Sequence, residues 1–428
     1  MAKKKHKSHS HATHTLSVKA QSKLAAQKKR QKITRWIGFG IIGAVAALLA
    51  VGGVTQWLLP VYLPLQKTVL TVNGTKFNAQ YIARMVNYYT GGDPTYSYLF
   101  IDPVIDQITQ NELMKQKAAE LGITVSNDEV AETIKTAGIK SNPTTRDIVY
   151  SSLLAEKLTE QKFKVEIGSA GPQRQVLAML LESAAQAEAV KDRLESGESF
   201  ADITVELSLD STTITNKGDM GFHPQGILDS LLFAAGLDEA AFSAAEGGIG
   251  VLYDQAKSKQ LGYWVVKITE KTTTDEASTA KVLGILVPTI EKAEEVRTKL
   301  AEGGDFAALA AEYSQDAMTK DTGGDLGTLT LGTSTGPVAV YAFSEGATVN
   351  EISQPILTKD SNTTGAYWLY QVKAVESSRT FTEDDLDKLV NAAFSEWLTV
   401  IRDDPANEID RVELTDEQRD LIAEQSLA

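Results

Sequence analysis

Chemistry in this chain must be done without cysteine and almost without histidine. The 428 residues include no Cys, which excludes disulfides, thiolate catalysis, Cys-ligated zinc and iron–sulfur clusters. Four of the five histidines, His6, His9, His11 and His14, crowd the first fourteen residues; the fifth is His223. A single histidine beyond that head excludes a His-rich metal site and any duplicated His-based triad. No G-x-G-x-x-G follows a strand, and there is no P-loop or G-x-S-x-G. Carboxylates are the remaining catalytic side chains, 56 in all. The pairs Asp384-Asp385 and Asp403-Asp404 read as solvated helix ends, and a carboxylate-only hydrolase stays open at this level. Two acids stand out by position: Asp210 and Asp316 each end a Ser-x-Asp triplet just before a Gly-rich turn, 106 residues apart. Such an aspartate can serve as a reaction centre or simply cap the turn.

The spacing reflects a duplication. Residues 186–210 and 292–316 align without gaps with ten identities in 25, among them Leu194, Gly197, Phe200, Glu206, Ser208 and Asp210. Val176-Leu177 matches Val282-Leu283, Gly218-Asp219 matches Gly324-Asp325, and Gly262-Tyr263-Trp264-Val265-Val266 parallels Ala366-Tyr367-Trp368-Leu369-Tyr370. A period this long means duplicated domains rather than a solenoid. Each copy reads as strand, helix, short helix, Gly-rich turn, small helix and final strand. The expected class is α+β, two tandem domains with a small antiparallel sheet covered by helices, at 173–271 and 279–376.

Upstream, Val69–Val72 before Asn73-Gly74 predicts a strand entering a tight turn. Asn78 is placed to cap a helix through Ile82, Met85 and Val86. Asp102-Pro103 opens a longer helix ended by Gly122, and Ser126-x-x-Glu129 is a capping box. Near the end, Thr382-x-x-Asp385 has capping-box form before an apolar stripe at Leu386, Val390, Ala393, Trp397 and Ile401. Residues 66–170 therefore read as a mostly helical module completed by 377–428.

The repeat resembles the parvulin-type (rotamase) prolyl isomerase domain. The second copy carries the pattern best, through Gly303, Phe306, Tyr313-Ser314-Gln315-Asp316, Gly323-Gly324-Asp325-Leu326-Gly327, Ala342-Phe343 and Ile352-Ser353-Gln354-Pro355; the first has Gly218-Asp219-Met220-Gly221 and Ala241-Phe242. The helical module resembles the SurA/PrsA-type chaperone domain, through Thr71-Val72-Asn73-Gly74 and the stretch ending Glu120-Leu121-Gly122-Ile123. The resemblance implies a prolyl isomerase centred on a Cys or Asp between two histidines, with Met and Phe around the proline. Carried over, the centre falls on Asp210 and Asp316. The first histidine position falls on Ala178 and Gly284, the second on Trp264 and Trp368. The pocket positions fall on Phe233, Leu237 and Phe242 in one copy and on Ser334, Val338 and Phe343 in the other. Rotating a prolyl amide crosses a barrier of about 18–20 kcal/mol without covalent chemistry. Indole donates one N–H and accepts nothing, so Trp cannot replace imidazole in a hydrogen-bonded relay. It does offer an apolar face to peptide side chains. The expected peptide-binding candidates are Phe233, Leu237, Phe242, Trp264, Val338, Phe343 and Trp368.

Charge divides the chain. Net charge is −14, yet residues 1–35 hold eleven Lys/Arg and no acid. No charged residue lies between Arg35 and Lys67, and Trp36 to Val54 is apolar or glycine throughout. About 20 such residues span a bilayer as a helix. The reading is a cytoplasmic basic tail at 1–35, a single transmembrane helix at 36–59 and the bulk of the chain extracytoplasmic. A cleaved signal peptide is the rival, with an unusually long n-region. The basic tail suits anionic lipid headgroups, although its histidines suggest metal and its lysines nucleic acid. The adopted reading has no metal, cofactor or nucleic-acid partner. It is a membrane-tethered chaperone or foldase for unfolded or nascent secreted polypeptides, with the translocon as a candidate neighbour. The alternatives are an active isomerase working through the second copy, and a scaffold for one fixed membrane partner.

Overall fold

A computed structural model describes residues 45–46, 48–49, 51–52, 54–274 and 277–427. The basic tail and half of the expected membrane segment 36–59 lie outside these. Among the described residues no helix is long and apolar enough to cross a membrane. The described chain up to Leu158 and from Trp397 onward forms one compact unit, and Thr159–Glu396 forms another.

In the first unit, Thr68–Val72 (β1) and Thr75–Asn78 (β2) make a hairpin. Its turn residues Asn73 and Gly74 both have positive φ, 46° and 86°, as the favoured two-residue hairpin turn requires. Asn78 then accepts a hydrogen bond from the Tyr81 amide at 2.9 Å and starts Ala79–Thr90 (α1). Ile101–Glu120 (α2), Asn127–Thr136 (α3), with the Ser126/Glu129 capping box formed, and Pro143–Leu158 (α4) follow. The other edge of β1 pairs with Ile409–Arg411, and Ile401, Leu414 and Ile422 share one core with Leu70, Ile82, Met85 and Ile105.

The second unit holds two four-stranded antiparallel sheets. One copy contributes Ala170–Leu181 (β3), Ala184–Glu195 (α5), Phe200–Leu207 (α6), Ser211–Thr215 (α7), Asp219–His223 (β4), Leu228–Leu232 (α8), Leu237–Ser243 (α9) and Ile249–Lys259 (β5). Gly262–Thr273 (β6) comes next. The other copy contributes Ser278–Val287 (β7), Ile290–Ala301 (α10), Phe306–Tyr313 (α11), Asp325–Thr330 (β8), Pro337–Ala342 (α12) and Ile356–Thr358 (β9), before Thr363–Thr380 (β10). The repeated motifs do the same work twice. The Ser208 and Ser314 hydroxyls accept from the Leu180 and Leu286 amides at 3.1 and 3.2 Å. The Ala178 and Gly284 amides donate to the carbonyls of Gly218 and Gly324.

The closing strands, however, are exchanged. A tandem arrangement gives β6 to the first copy and β10 to the second. The sheet orders are instead β4-β3-β10-β5 and β8-β7-β6-β9. Trp368 lies between Leu180 and Leu252, and Trp264 between Leu286 and Ile356. The chain passes from β5 to β6 through Gln260-Leu261 and returns from β9 to β10 through 359–362, so a two-stranded ribbon runs through both sheets. Neither Gln260 nor Leu261 adopts a positive φ, and a two-residue hairpin there needs one. Side-chain fit matches each strand to its sheet. Tyr370 of β10 lies over Gly250, where a Cβ would come within 2.4 Å of its ring. Val266, the aligned residue of β6, is fully buried in the other sheet. Gly262 sits where a Cβ would be 3.1 Å from both Leu286 and the Val287 carbonyl; the aligned residue of β10 is Ala366.

One acid pair departs from the solvated reading. At the start of the helix Glu383–Arg402, the Asp385 amide donates to Thr382 Oγ1 at 3.1 Å, half of a capping box. Its carboxylate does not turn back to Thr382 but is buried against His223 Nδ1 at 3.0 Å. Asp384 and Asp403 do face solvent, paired with Lys388 and Arg402.

Candidate functional site

The duplicated site positions take different forms in the two sheets. In the first, Trp368 is fully buried, the largest side chain to be so among the described residues, and its indole N–H has no hydrogen-bond partner among them. Ala178, opposite Tyr370, is fully buried as well. Above the indole, at 5.0 Å from the ring centroid, stands the ammonium of Lys257. It donates to the Leu232 carbonyl at 2.6 Å, lies 5.9 Å from the Phe233 ring and 3.8 Å from Asp210 Oδ2. Lys257 therefore joins three of the carried-over positions, Asp210, Trp368 and Phe233. A cation over an indole face is attractive, more so when desolvated, and this lysine side chain is only 13% exposed. Its placement follows from an irregularity in β5: the ladder with β10 shifts register between Thr364 and Ala366, and Asp254 accepts from the amides of Ala256 and Lys257. Bulges of this kind re-aim side chains.

The remaining positions of that copy do not converge on an open cleft. Asp210 Oδ1 caps α7 through the Thr213 amide at 2.9 Å. Leu237 belongs to the core around Trp368. Phe242 is covered by the Arg174 guanidinium, 5.1 Å from its ring, which also donates to the Phe242 and Ala244 carbonyls. Phe233 projects outward at 81% exposure from a left-handed helix end, over a shallow cavity of about 480 Å³ that Lys257 and Asp254 also line.

In the second sheet the indole lies against Gly284, the residue that the resemblance puts at the first histidine position. A Cβ on Gly284 would lie 2.9 Å from the Trp264 ring and 2.5 Å from Leu326 Cδ1. Glycine at 284 is thus what lets the Trp264 ring cross the strand. Trp264, Leu326, Leu329, Pro337 and Val338 line a cavity of about 610 Å³, with Thr358, Asp360 and Ser361 at its edge. Phe343 packs into the same apolar cluster as Trp264 and Val338. Asp316 does not line this cavity: its carboxylate accepts from Thr319 Oγ1 and faces the Met318 amide. Ser334 does not line the cavity either; its hydroxyl accepts from the Thr330 amide at 3.0 Å.

Where the ribbon passes between the sheets, a polar group is buried. Lys259 Nζ donates to the Glu182 carbonyl at 2.8 Å, and Tyr263 OH donates to the Glu182 carboxylate at 3.1 Å. Burial pushes Lys259 down to about 8, partly opposed by Glu182 and Glu291. Burial also raises Glu182, against the Tyr263 hydrogen bond and Lys259. It raises Tyr263 too, helped by the neighbouring Glu182 charge.

The sequence reading missed Lys257 and Asp385. Lys257 lies where the copies stop aligning, since β9 is only three residues long and ends before the equivalent point. No motif marks it. His223 could have suggested an acidic partner, being the only outer histidine. Both of its ring nitrogens are engaged, the second by the Met220 carbonyl at 2.8 Å. Among the described residues no group of three or more His, Asp or Glu side chains is placed to hold a metal ion.

Comparison with known proteins adds three matches along the chain. Residues 27–177 match the SurA-like N-terminal domain, and 165–272 and 275–362 each match a PPIC-type PPIase domain. The chain is 28% identical over 229 residues to the foldase protein PrsA of Caldanaerobacter subterraneus, a match covering 46% of this chain and 72% of that one. It is 23% identical over 230 residues to the chaperone SurA of Hahella chejuensis, covering 50% and 46%. A crystal structure of the foldase PrsA from Streptococcus pneumoniae aligns over 84% of this chain and 99% of that chain at 11% identity, with a TM-score of 0.26. The segment 165–272 includes β6, which pairs in the sheet of the other copy.

Proposed function

We propose that this chain, which carries a SurA-like N-terminal domain and two PPIC-type domains and so stands in the PrsA/SurA-type family of peptidyl-prolyl isomerase chaperones, is a membrane-tethered holder of unfolded secreted polypeptides whose isomerase centres are degenerate. The observation that carries the reading is the unequal fate of the two indoles. Trp264, 9% exposed, borders a cavity of mixed apolar and polar lining large enough for a proline or a branched side chain, whereas Trp368 is fully buried beneath Lys257. Broad, weak peptide capture then belongs to the second copy, and the first copy is a structural partner. A twisted prolyl amide needs polar groups aimed at its oxygen and nitrogen. Asp210 and Asp316 instead serve backbone and hydroxyl groups of their own turns.

The charge-free stretch 36–59 after a basic tail supports a tether with the bulk of the chain outside, where it raises the local concentration of chaperone near emerging clients. The deciding experiment uses the full chain in two assays. Suppression of aggregation of an unrelated unfolded protein, weakened in Trp264→Ala, is the expected result. Acceleration of cis/trans exchange in a proline peptide, abolished by Asp316→Ala, would overturn the degenerate-centre reading in favour of an active isomerase. Recovery of one stoichiometric membrane protein in a pull-down, with no effect on aggregation, would favour a scaffold. Accessibility of the outer domains to protease added outside intact cells tests the orientation.

A further inference from the structure

We propose that the aromatic surface between α1 and α2 rests on the lipid bilayer, in the interfacial layer beside the point where the chain leaves the membrane. The inference rests on the tether read from residues 36–59. Between Arg84 and Asp102 the sequence holds five aromatics and a single charged residue, Asp93. That carboxylate is already engaged: it accepts from the Thr95 amide at 2.8 Å and caps the short helix Pro94–Ser97. Tyr88, Tyr89, Tyr96, Tyr98, Leu99 and Phe100 are all exposed, Leu99 at 67%. Contiguous exposed apolar surface marks an interaction site. Tyrosine joins an apolar body to a polar tip and is enriched where hydrocarbon meets water, which favours a bilayer interface as the partner.

Placement points the same way. Val54–Tyr62 and Leu63–Leu65 are helical, and Val61 and Leu65 pack into the core that holds Ile82 and Ile105. From Leu59, the end of the expected membrane segment, to Leu65 is only about 9 Å of helix at 1.5 Å per residue. The first unit is therefore held close to the bilayer. The aromatic surface lies at the tethered end of that unit. The second half of α2 lies at the tip of the β1–β2 hairpin, where Gln116 accepts from the Asn73 side chain and Glu112 from the Thr75 hydroxyl, each at 2.8 Å. The start of α2 lies toward the other end, where Asp102 and Asp106 pair with Arg411, the residue opposite Leu70. That is the end at which the tether, with Leu59 and Leu63 exposed, leads into β1 at Thr68. Tyr96 to Phe100 run directly into α2 at Ile101 and so share that end.

The chain has no cysteine, so one introduced thiol reports one place. Leu99→Cys, carrying a polarity-sensitive fluorophore, is measured in the full-length chain reconstituted into phosphatidylcholine vesicles, where the basic tail finds no anionic headgroup. Met318→Cys in the second unit, at a side chain 87% exposed, is the aqueous control. The expected result is blue-shifted emission at Leu99, quenched by lipids that carry a nitroxide near the headgroup, with neither effect at Met318. Added salt should leave the quenching unchanged, because the contact is apolar. Tyr96→Ser in the Leu99→Cys background should lower it about twofold, since interfacial binding scales with the apolar area buried. Protein released from the vesicles by alkaline carbonate refutes the tether and the proposal with it. Protein that resists carbonate while the Leu99 label stays in water overturns the proposal alone. A Leu99 label untouched by the lipid nitroxide but shielded when an unfolded polypeptide is added overturns it in favour of a client surface.

Discussion

The two parvulin-like copies share a sequence pattern but solve one problem in opposite ways. Each must dispose of an indole at the position that the resemblance assigns to a second histidine. In the first copy Trp368 is fully buried in an apolar core that includes Ala178, Leu180 and Leu237, with the cation of Lys257 over its ring. In the second, Gly284 lets the Trp264 ring lie across the strand, and the space around it stays open to about 610 Å³. Identical motif residues thus fix the turns and the strand order, while a few side-chain volumes decide whether a pocket exists.

The largest effect expected concerns the exchanged strands. A fragment cut at the sequence repeat, 279–376, contains β7, β8 and β9 but must close its sheet with β10, bringing Tyr370 to the site of buried Val266 and Ala366 to that of Gly262. A fragment covering 262–358 keeps β6 with its own partners. We expect the second to give a dispersed amide spectrum and a cooperative melt, and the first to give neither. A well-folded 279–376 would show that either strand closes either sheet and would remove the steric basis of the comparison.

Next in size are the indoles themselves. Trp368→Ala leaves a cavity in a closed core and should cost about 3–5 kcal/mol by denaturant titration. Trp264→Ala should cost clearly less, because its ring already borders empty space, and should reduce peptide binding instead. Equal losses at the two sites would contradict the open-versus-filled distinction. At the aligned strand position, Gly284→Ala overpacks Trp264 and Leu326 and should cost about 1–3 kcal/mol. Ala178→Gly should cost only about 0.5–1 kcal/mol, mainly through backbone entropy.

Smaller still are the two aspartates. Asp210→Ala removes the cap of α7 and should lose about 1 kcal/mol, with Asp210→Asn recovering most of it, since either side chain can cap. Asp316→Ala, which frees Thr319, should behave similarly in thermal melts. A loss of chaperone activity without loss of stability in either variant would mean that the carboxylates face clients after all.

Local signals account for what was legible beforehand. The Asn73-Gly74 turn, the Asn78 cap, the Ser126/Glu129 box and the helix ended by Gly122 each depend on residues within a few positions of one another. The duplication and its turns were equally plain. The strand exchange was not, because β6 and β10 are near-copies and a period of two tells which face is buried but not which sheet receives the strand. Lys257 was hidden for a related reason. Its role arises from a register shift and from a strand distant in sequence. Asp385 was misread because a helix-start acid normally faces water, and only the fold brings His223 to it.

The subtlest prediction concerns the junction both copies share. Lys259 lies on the ribbon beside Glu182 of the first sheet, Tyr263 and Glu291, and burial lowers it from its ordinary 10.5 to about 8. Between those values the unfolded chain holds more protons than the folded one, so this group's contribution to stability rises with pH and is lost as pH falls toward 8. Tyr263, raised by burial and then by Glu182, acts in the other direction above its ordinary value of 10. The useful window is therefore pH 8 to 10. Over it, the stability of the unmodified chain should gain on that of Lys259→Met, whose side chain keeps most of the length without the charge. If the two proteins keep a constant difference in melting temperature across that window, Lys259 is solvated and the two sheets are not held together by a buried cation; if the difference changes with pH, the junction is a dry polar contact that both copies depend on.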